Sequence, residues 1–407
     1  MSFPSSSPVS PSTHAPPAGP GVLRLLPLAL AVFVGFLTLG LPMPVLPLHL
    51  HDSLGLSMPM VGVLMGAQFV AALLSRAWAG NLADLRGGKR AVVTGLLLAA
   101  GSGLAYWLSL AFTATPAAST AVLLIGRLLL GCGESLVVTG ALGWGVGMLG
   151  PQHAGKVMAW VGIAMYGAYA VGAPAGVALN AAQGFAGLAL ATLLLPFVAL
   201  ALVAGLRATP PTATRRTPFY QVLGAVWMPG LGLALSSVGF GVITAFVALL
   251  FSARHWGQAS LAFTAFGLAF IAARLFFGHL PDRLGGARVA LVCVLIEVVG
   301  QLLIWRADAA PMAYLGAALT GFGYSLAFPG FGVEAVRRAP PQSRGVAMGA
   351  YVAFLDISLG ITAPALGAVA GAGDVGTVFL VGAVAVGLAL LIALRLLRAT
   401  PEVRHGQ

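Results

Sequence analysis

The chain has 407 residues, of which 59% are hydrophobic and only 8% charged, with a formal net charge of +11. Soluble domains carry about 25% charged residues, so this composition excludes a largely water-exposed surface and admits a lipid-exposed one. The lysines and arginines stand singly or in small groups between apolar runs, which is a topology pattern and excludes the continuous basic patch of a nucleic-acid binder.

Residues 1–23 open the chain with many prolines and serines and no lysine or arginine. They lack the basic start and apolar core of a signal peptide and are expected to be a disordered cytoplasmic tail. Twelve apolar segments follow, at about 24–48, 58–82, 91–112, 119–147, 156–179, 185–206, 221–251, 259–280, 289–306, 311–335, 346–370 and 376–398. Each reaches the ~20 residues that a helix needs to cross a bilayer. The connection 207–220 holds Pro210, Pro211, Arg215, Arg216 and Pro218 and reads as a cytoplasmic linker. It divides an N-terminal six-helix bundle, 24–206, from a C-terminal one, 221–398; residues 399–407 form a second tail. The expected fold class is an all-α membrane protein with twelve transmembrane helices in two six-helix halves.

Orientation follows from the basic residues. With the N-terminus in the cytoplasm, the inner connections collect Arg86, Lys89, Arg90, Lys156, Arg207, Arg283, Arg288, Arg337 and Arg338 among others, while the outer ones hold only Arg254 and Arg306. That asymmetry obeys the positive-inside rule, and an even number of crossings returns the C-terminus to the cytoplasm. Cys132 and Cys293 lie inside apolar runs and read as small buried hydrophobes.

The halves repeat one another. Gly80-Asn-Leu-Ala-Asp84-Leu-Arg86-Gly87-Gly88-Lys89-Arg90, between spans 2 and 3, recurs as Gly278-His-Leu-Pro-Asp282-Arg283-Leu-Gly285-Gly286-Ala-Arg288 between spans 8 and 9. Arg76 and Arg274 precede the two copies by equal distances. Gly126, Gly131, Gly133, Ser135 and Gly140 on span 4 match Gly316, Gly321, Gly323, Ser325 and Gly330 on span 10, and Ala173-Pro174-Ala175 on span 5 matches Ala363-Pro364-Ala365 on span 11. The order is preserved, so the halves are parallel repeats about an axis along the membrane normal, a secondary-transporter pattern.

The doubled loop resembles the signature of the major facilitator superfamily, Gly-x-Leu-x-Asp-Arg-x-Gly followed by basic residues. The first copy departs from it, with Leu85 where arginine is usual. The run through Arg127, Glu134, Trp144, Gly155-Lys156 and Gly172-Ala-Pro174 is similar to the YhhS and YfcJ branch of bacterial carriers. The resemblance implies the major facilitator fold, a bacterial inner-membrane location and alternating access. It also implies that Asp84 faces span 11 across the interface in the outward-facing state. Gly80, Asp84, Arg86, Gly87, Lys89 and Arg90, with Gly278, Asp282, Arg283, Gly285 and Arg288, would then form a conformational latch. Gly172, Pro174 and Gly176 on span 5 are similar to the family's antiporter motif, interrupted by Ala173, and lean toward export.

Charges inside apolar runs are costly unless paired or wet, which makes them functional candidates. Arg127 and Glu134 stand seven apart on span 4 and so share a face, about 10 Å apart along the axis. Glu134 is the expected proton-titrating site, tuned by Arg127, and Asp356 on span 11 is a second candidate. Glu297 on span 9 is expected to be structural. Arg76 and Arg274 are expected to snorkel to the interface or to pair with Asp84 and Asp282. Tyr324, Tyr166, Gln68 and Trp144 are candidate cavity residues, with Tyr324 favoured because it is the repeat mate of Glu134. His49, His51 and Asp52 read as ordinary loop polarity; no metal and no cofactor is expected.

The expected function is proton-coupled efflux of a small organic molecule, drug-like or a sugar, by a monomeric carrier whose partners are substrate, protons and the lipid bilayer. Proton-coupled uptake is the alternative reading. An enzyme or a non-transporting receptor on the same scaffold is disfavoured, because no P-loop, H-E-x-x-H or serine–histidine constellation is present.

Overall fold

The computed structural model describes residues 24–150, 153–210, 219–339 and 344–399. The tail 1–23, Arg215, Arg216 and Pro218 of the linker, and most of the 399–407 tail lie outside the described residues. Every regular element among the described residues is helical. In chain order they are α1 (Leu26–Gly40), α2 (Leu46–Leu48), α3 (Met58–Arg86), α4 (Gly88–Ser109), α5 (Pro116–Leu149), α6 (Ala154–Ala204), α7 (Phe219–Ala253), α8 (Ser260–Phe277), α9 (Leu280–Leu284), α10 (Gly286–Trp305), α11 (Ala310–Arg338), α12 (Arg344–Ala372) and α13 (Thr377–Arg398).

Two of these elements differ from single straight spans, for local reasons. At 1.5 Å per residue the 51-residue α6 would run about 75 Å, more than twice a bilayer core. Gly184, at φ 65° and ψ −172°, folds it into two passes where spans 5 and 6 were expected to meet. The first span is broken after Gly40, because Pro42, Pro44 and Pro47 remove helical donors. The chain resumes as α2 and one wide turn, His49–Ser53. The result is twelve crossings in two six-helix halves.

The loop motif has the same backbone in both copies. Gly87 and Gly285 take φ 88° and φ 92°, and with ψ of 150° and 140° they occupy a region open almost only to glycine. Each is followed by a second glycine pressed on the neighbouring helix: Gly88 against the Gly140 carbonyl and Trp144, and Gly286 against the Gly330 carbonyl. One difference has a clear cause. The first copy continues α3 to Arg86, whereas the second forms the separate five-residue α9, because Pro281 stands where the first copy has Ala83 and ends the α8 ladder. Gly285→Ala should destabilise the protein by about 1–3 kcal/mol through backbone strain alone. A Cβ there would meet nothing within 4 Å. Thermal unfolding in detergent should show the loss.

Within the first half α1 packs on α6, and α5 on both α3 and α4; within the second, α7 packs on α12, α11 on both α8 and α10, and α10 on α13. Glycines set these distances. Gly95 and Gly133 lie against one another's carbonyls between α4 and α5, and Gly300 and Gly316 do the same between α10 and α11. Close backbone approach of this kind drives helix association in lipid.

Candidate functional site

The halves meet mainly along two helix pairs, α3 with α12 and α6 with α8, which are images of each other under the repeat. Small residues let the backbones touch. Gly62 lies against the Ala363 carbonyl, Gly66 against Gly360 and Pro364, and Gly367 against Met58. On the other side Gly267 lies against Tyr166 and Ala170, and Thr264 Oγ1 donates to the Ala170 carbonyl at 2.8 Å. Most of these contacts lie in the halves of the helices remote from the basic loops. The structure is therefore closed on the face opposite those loops.

At the inner limit of the α3–α12 contact, Arg76 and Asp356 form an ion pair between the halves. Nη2 lies 2.5 Å and Nε 2.6 Å from Oδ2. The aspartate side chain is 6% exposed and the arginine 21%. Arg76 therefore neither snorkels nor pairs with Asp84, as its position before the loop had suggested. Its side chain instead turns across the interface to an acid that would otherwise be alone in the second half.

Glu134 is half-buried on α5 and accepts a hydrogen bond from Gln68 Nε2 on α3 at 2.6 Å. Its charged neighbours are Asp356, Arg76 and Arg127. Arg127 does not bond to Glu134. It is buried and donates to the Leu64 and Met65 carbonyls at 3.3 and 2.9 Å. Arg127 and Gln68 border a cavity of about 20 Å³ shared with Tyr169, Thr244 and Leu359, which is room for about one water. Of the charged and amide groups only Gln68 and Arg127 line this cavity, whose walls are otherwise mostly apolar; Glu134, Arg76, Asp356, Arg127 and Gln68 form one polar cluster beside it at the seam.

Tyr166 and Tyr324, both expected at the cavity, belong to a six-ring cluster across the other seam. It joins Tyr166 and Tyr169 of α6, Phe240 of α7, Phe266 and Phe270 of α8, and Tyr324 of α11. Tyr166 stacks on Phe270 at 3.6 Å and Tyr324 on Phe240 at 5.6 Å. Glu134 and Tyr324 are both neighbours of Tyr169.

A family model described as the Major Facilitator Superfamily matches residues 28–256 and again 229–407, each match covering about one half of the repeat. The chain belongs to the major facilitator superfamily. An uncharacterized MFS-type transporter of Salmonella typhimurium strain LT2 is 46% identical over 345 residues, 85% of this chain and 89% of the relative. A protein so described from Pseudomonas aeruginosa strain UCBPP-PA14 is 46% identical over 374 residues, 91% of this chain and 93% of the relative. A mutant form of the nucleoside transporter NupG shares the fold with a TM-score of 0.74 at 15% identity, covering 92% of this chain and 99% of its own. Membership is thus established at the level of the superfamily; none of these relatives carries the YhhS or YfcJ name.

In this superfamily member Trp144 does not border the small cavity at the seam. It is fully buried at the basic end of α5, its indole donates to the Arg207 carbonyl at 3.0 Å, and Lys89 lies 6.0 Å from its ring centre. Lys89 itself donates to the Ala204 and Leu206 carbonyls at 2.7 Å, closing the end of α6. Of the remaining loop residues, Asp84 is half-buried, whereas Arg86, Arg90, Asp282, Arg283 and Arg288 are exposed. Gly172 and Gly176 bring α6 onto the Gly40–Leu41 backbone, where the first span breaks, while Pro174 is half-buried between them. Glu334, at the basic end of α11, had no expected role. It is buried and paired with Arg337 at 3.3 Å and Arg338 at 2.6 Å, a spacing of three and four residues that is readable in the sequence.

Proposed function

We propose that this major facilitator superfamily protein exports a small organic molecule from the bacterial cytoplasm in exchange for protons. It acts as a monomer by rocking its halves in the inner membrane, with the basic loops and both termini on the cytoplasmic side. The Arg76–Asp356 pair carries this reading. An ion pair that spans two rocking bodies must open when they separate at that level. Opening it at membrane depth strands two charges, at a cost of several kcal/mol. A proton delivered to this polar space removes much of that cost, so proton binding and domain movement become linked. Glu134 is the entry point for the proton, since it is half-buried, held by the neutral amide of Gln68 and not ion-paired. Asp356, on the facing half, relays the change to the interface.

In the opposite state the loop motifs take over as latches, with Asp84 meeting the N-terminal end of α12. Export in place of uptake is supported by the antiporter-like Gly172-Ala173-Pro174 segment packed on the break in the first span.

The test is flux across proteoliposomes with an imposed pH gradient over a compound panel. With an acid interior, substrate should accumulate inside as protons leave. Glu134→Gln should reduce that gradient-driven component at least tenfold while leaving downhill exchange. Accumulation driven by an acid exterior would replace exchange by cotransport, and equal gradient response in the Glu134→Gln protein would remove Glu134 from the coupling path.

A further inference from the structure

The two arginines that precede the loop motifs are repeat mates, but their surroundings differ. Arg76 finds Asp356. The repeat mate of Asp356 is Tyr166, so the image of the ion pair is Arg274 of α8 facing Tyr166 of α6. The neighbours that act on the Arg274 guanidinium are Tyr166, Tyr324 and Tyr351, with no acid among them. It donates from Nη2 to the Ser325 carbonyl at 2.9 Å and lies 5.3 Å from the Phe270 ring centre. Its buried Nε has no hydrogen-bond partner among the described residues, and neither has the buried hydroxyl of Tyr324, whose polar neighbours are Tyr166 and Ser237.

A guanidinium is always charged and has five donors to satisfy. At membrane depth it normally pairs with an acid. Here the balance is short by one: Arg76, Arg127 and Arg274 face the seam against Glu134 and Asp356. Glu297 does not fill the gap. It is fully buried inside the second half and is not a neighbour of Arg274. Phe266, Phe270 and Arg274 recur every four residues on one face of α8, which brings the guanidinium over the Phe270 ring at the basic-loop end of the aromatic cluster.

We propose that Arg274 is the recognition site for one anionic group, a carboxylate, sulfonate or phosphate ester, on the transported molecule, with the Tyr324 hydroxyl as a second donor and the aromatic cluster as the bed for its apolar body. This inference rests on the transport reading above but assigns the substrate class, an organic anion, independently of proton coupling. The unpaired Nε supplies a donor that an acceptor-rich ligand satisfies, and the Tyr324 hydroxyl, beside Tyr166 and Ser237, can turn to it. Flat rings under a charged donor suit an anion attached to an aromatic or apolar group.

Binding to the purified full-length protein tests this without any gradient. The probes are benzoate, benzenesulfonate and phenyl phosphate, with benzamide and benzyl alcohol as neutral matches, at constant ionic strength, followed by calorimetry and by thermal unfolding. The anions should bind and raise the melting temperature, and the neutral pair should not. Arg274→Gln should weaken anion binding about thirtyfold or more, Arg274→Lys should retain part of it, and Tyr324→Phe should weaken it by a smaller factor. Arg254→Gln, at the far face, should change nothing. Equal binding of anions and neutral matches, or anion binding undiminished in well-folded Arg274→Gln protein, overturns the proposal. Flux of a neutral compound with no anion binding sinks the anion site and leaves transport standing. Anion binding without flux of any compound sinks the transport reading alone.

Discussion

Removing the Asp356 carboxylate should destabilise the protein by about 3 kcal/mol and abolish gradient-driven flux, while removing its arginine partner as well should restore most of the stability and none of the coupling. The reason lies in what each deletion leaves behind. Asp356→Ala strands the Arg76 guanidinium between α3 and α12. A stranded charge at a buried pair costs about 3–5 kcal/mol, and the low end applies because Arg76 keeps 21% exposure. Arg76→Ala strands the better buried carboxylate and should cost at least as much. The double Ala variant strands nothing, and replacing a whole buried pair by apolar groups is often close to neutral. With single losses of about 3 kcal/mol or more each and a nearly neutral double variant, a coupling energy of about 5 kcal/mol should therefore appear in the cycle, read from unfolding midpoints in detergent. Simple additivity of the two single variants would show that the pair contributes no interaction energy. Flux should separate stability from mechanism. If the double variant responds fully to a pH gradient, the ion pair is not the link between proton and movement.

The pair was hidden in the sequence for a geometric reason. Its residues stand 280 positions apart, on helices that only the assembly of the two halves brings together. The repeat register aligned Arg76 with Arg274 and Asp356 with Tyr166, but a register relates images and says nothing of contacts across the axis. Charge balance was the available signal, since a lone intramembrane arginine and a lone intramembrane aspartate each require a partner. The loop was far more legible, because a backbone region open almost only to glycine is a local demand. Gly87 and Gly285 met it in both copies. Trp144 shows the opposite failure. As a candidate cavity residue it shares a span with Glu134, yet ten residues of α-helix turn it about 80° away from the direction of Glu134, into the joint of α4, α5 and α6. Arg127, seven residues from Glu134, deviates by only about 20° and does border the small cavity. Helical phase, applied strictly, separates the two.

Gly62→Leu should reduce transport about a hundredfold in a protein that still folds, because it removes one of the two end states. A Cβ at Gly62 overlaps the backbone carbonyl of Ala363, and one at Gly66 would lie 2.8 Å from both the Gly360 carbonyl oxygen and the Pro364 ring. Backbone cannot rotate away as a side chain can, so overpacking here costs about 3 kcal/mol or more. That penalty falls only on the state in which α3 and α12 touch. By population arithmetic it depletes this state about a hundredfold. The unfolded and oppositely open states escape it, and leucine is a better helix former than glycine by almost 1 kcal/mol, so loss of fold does not follow. A disulfide reports the closed state directly. The ideal Cβ of Gly371 lies 3.9 Å from the Met58 Cβ, within disulfide geometry. Met58→Cys with Gly371→Cys, in a chain lacking Cys132 and Cys293, should cross-link readily on oxidation. The same pair should fail to cross-link once Gly62→Leu is added. Gly162→Leu, where a Cβ meets nothing within 4 Å, should leave both cross-linking and flux intact. Efficient cross-linking together with normal flux in the Gly62→Leu protein would mean that the close α3–α12 contact is not a state through which transport passes.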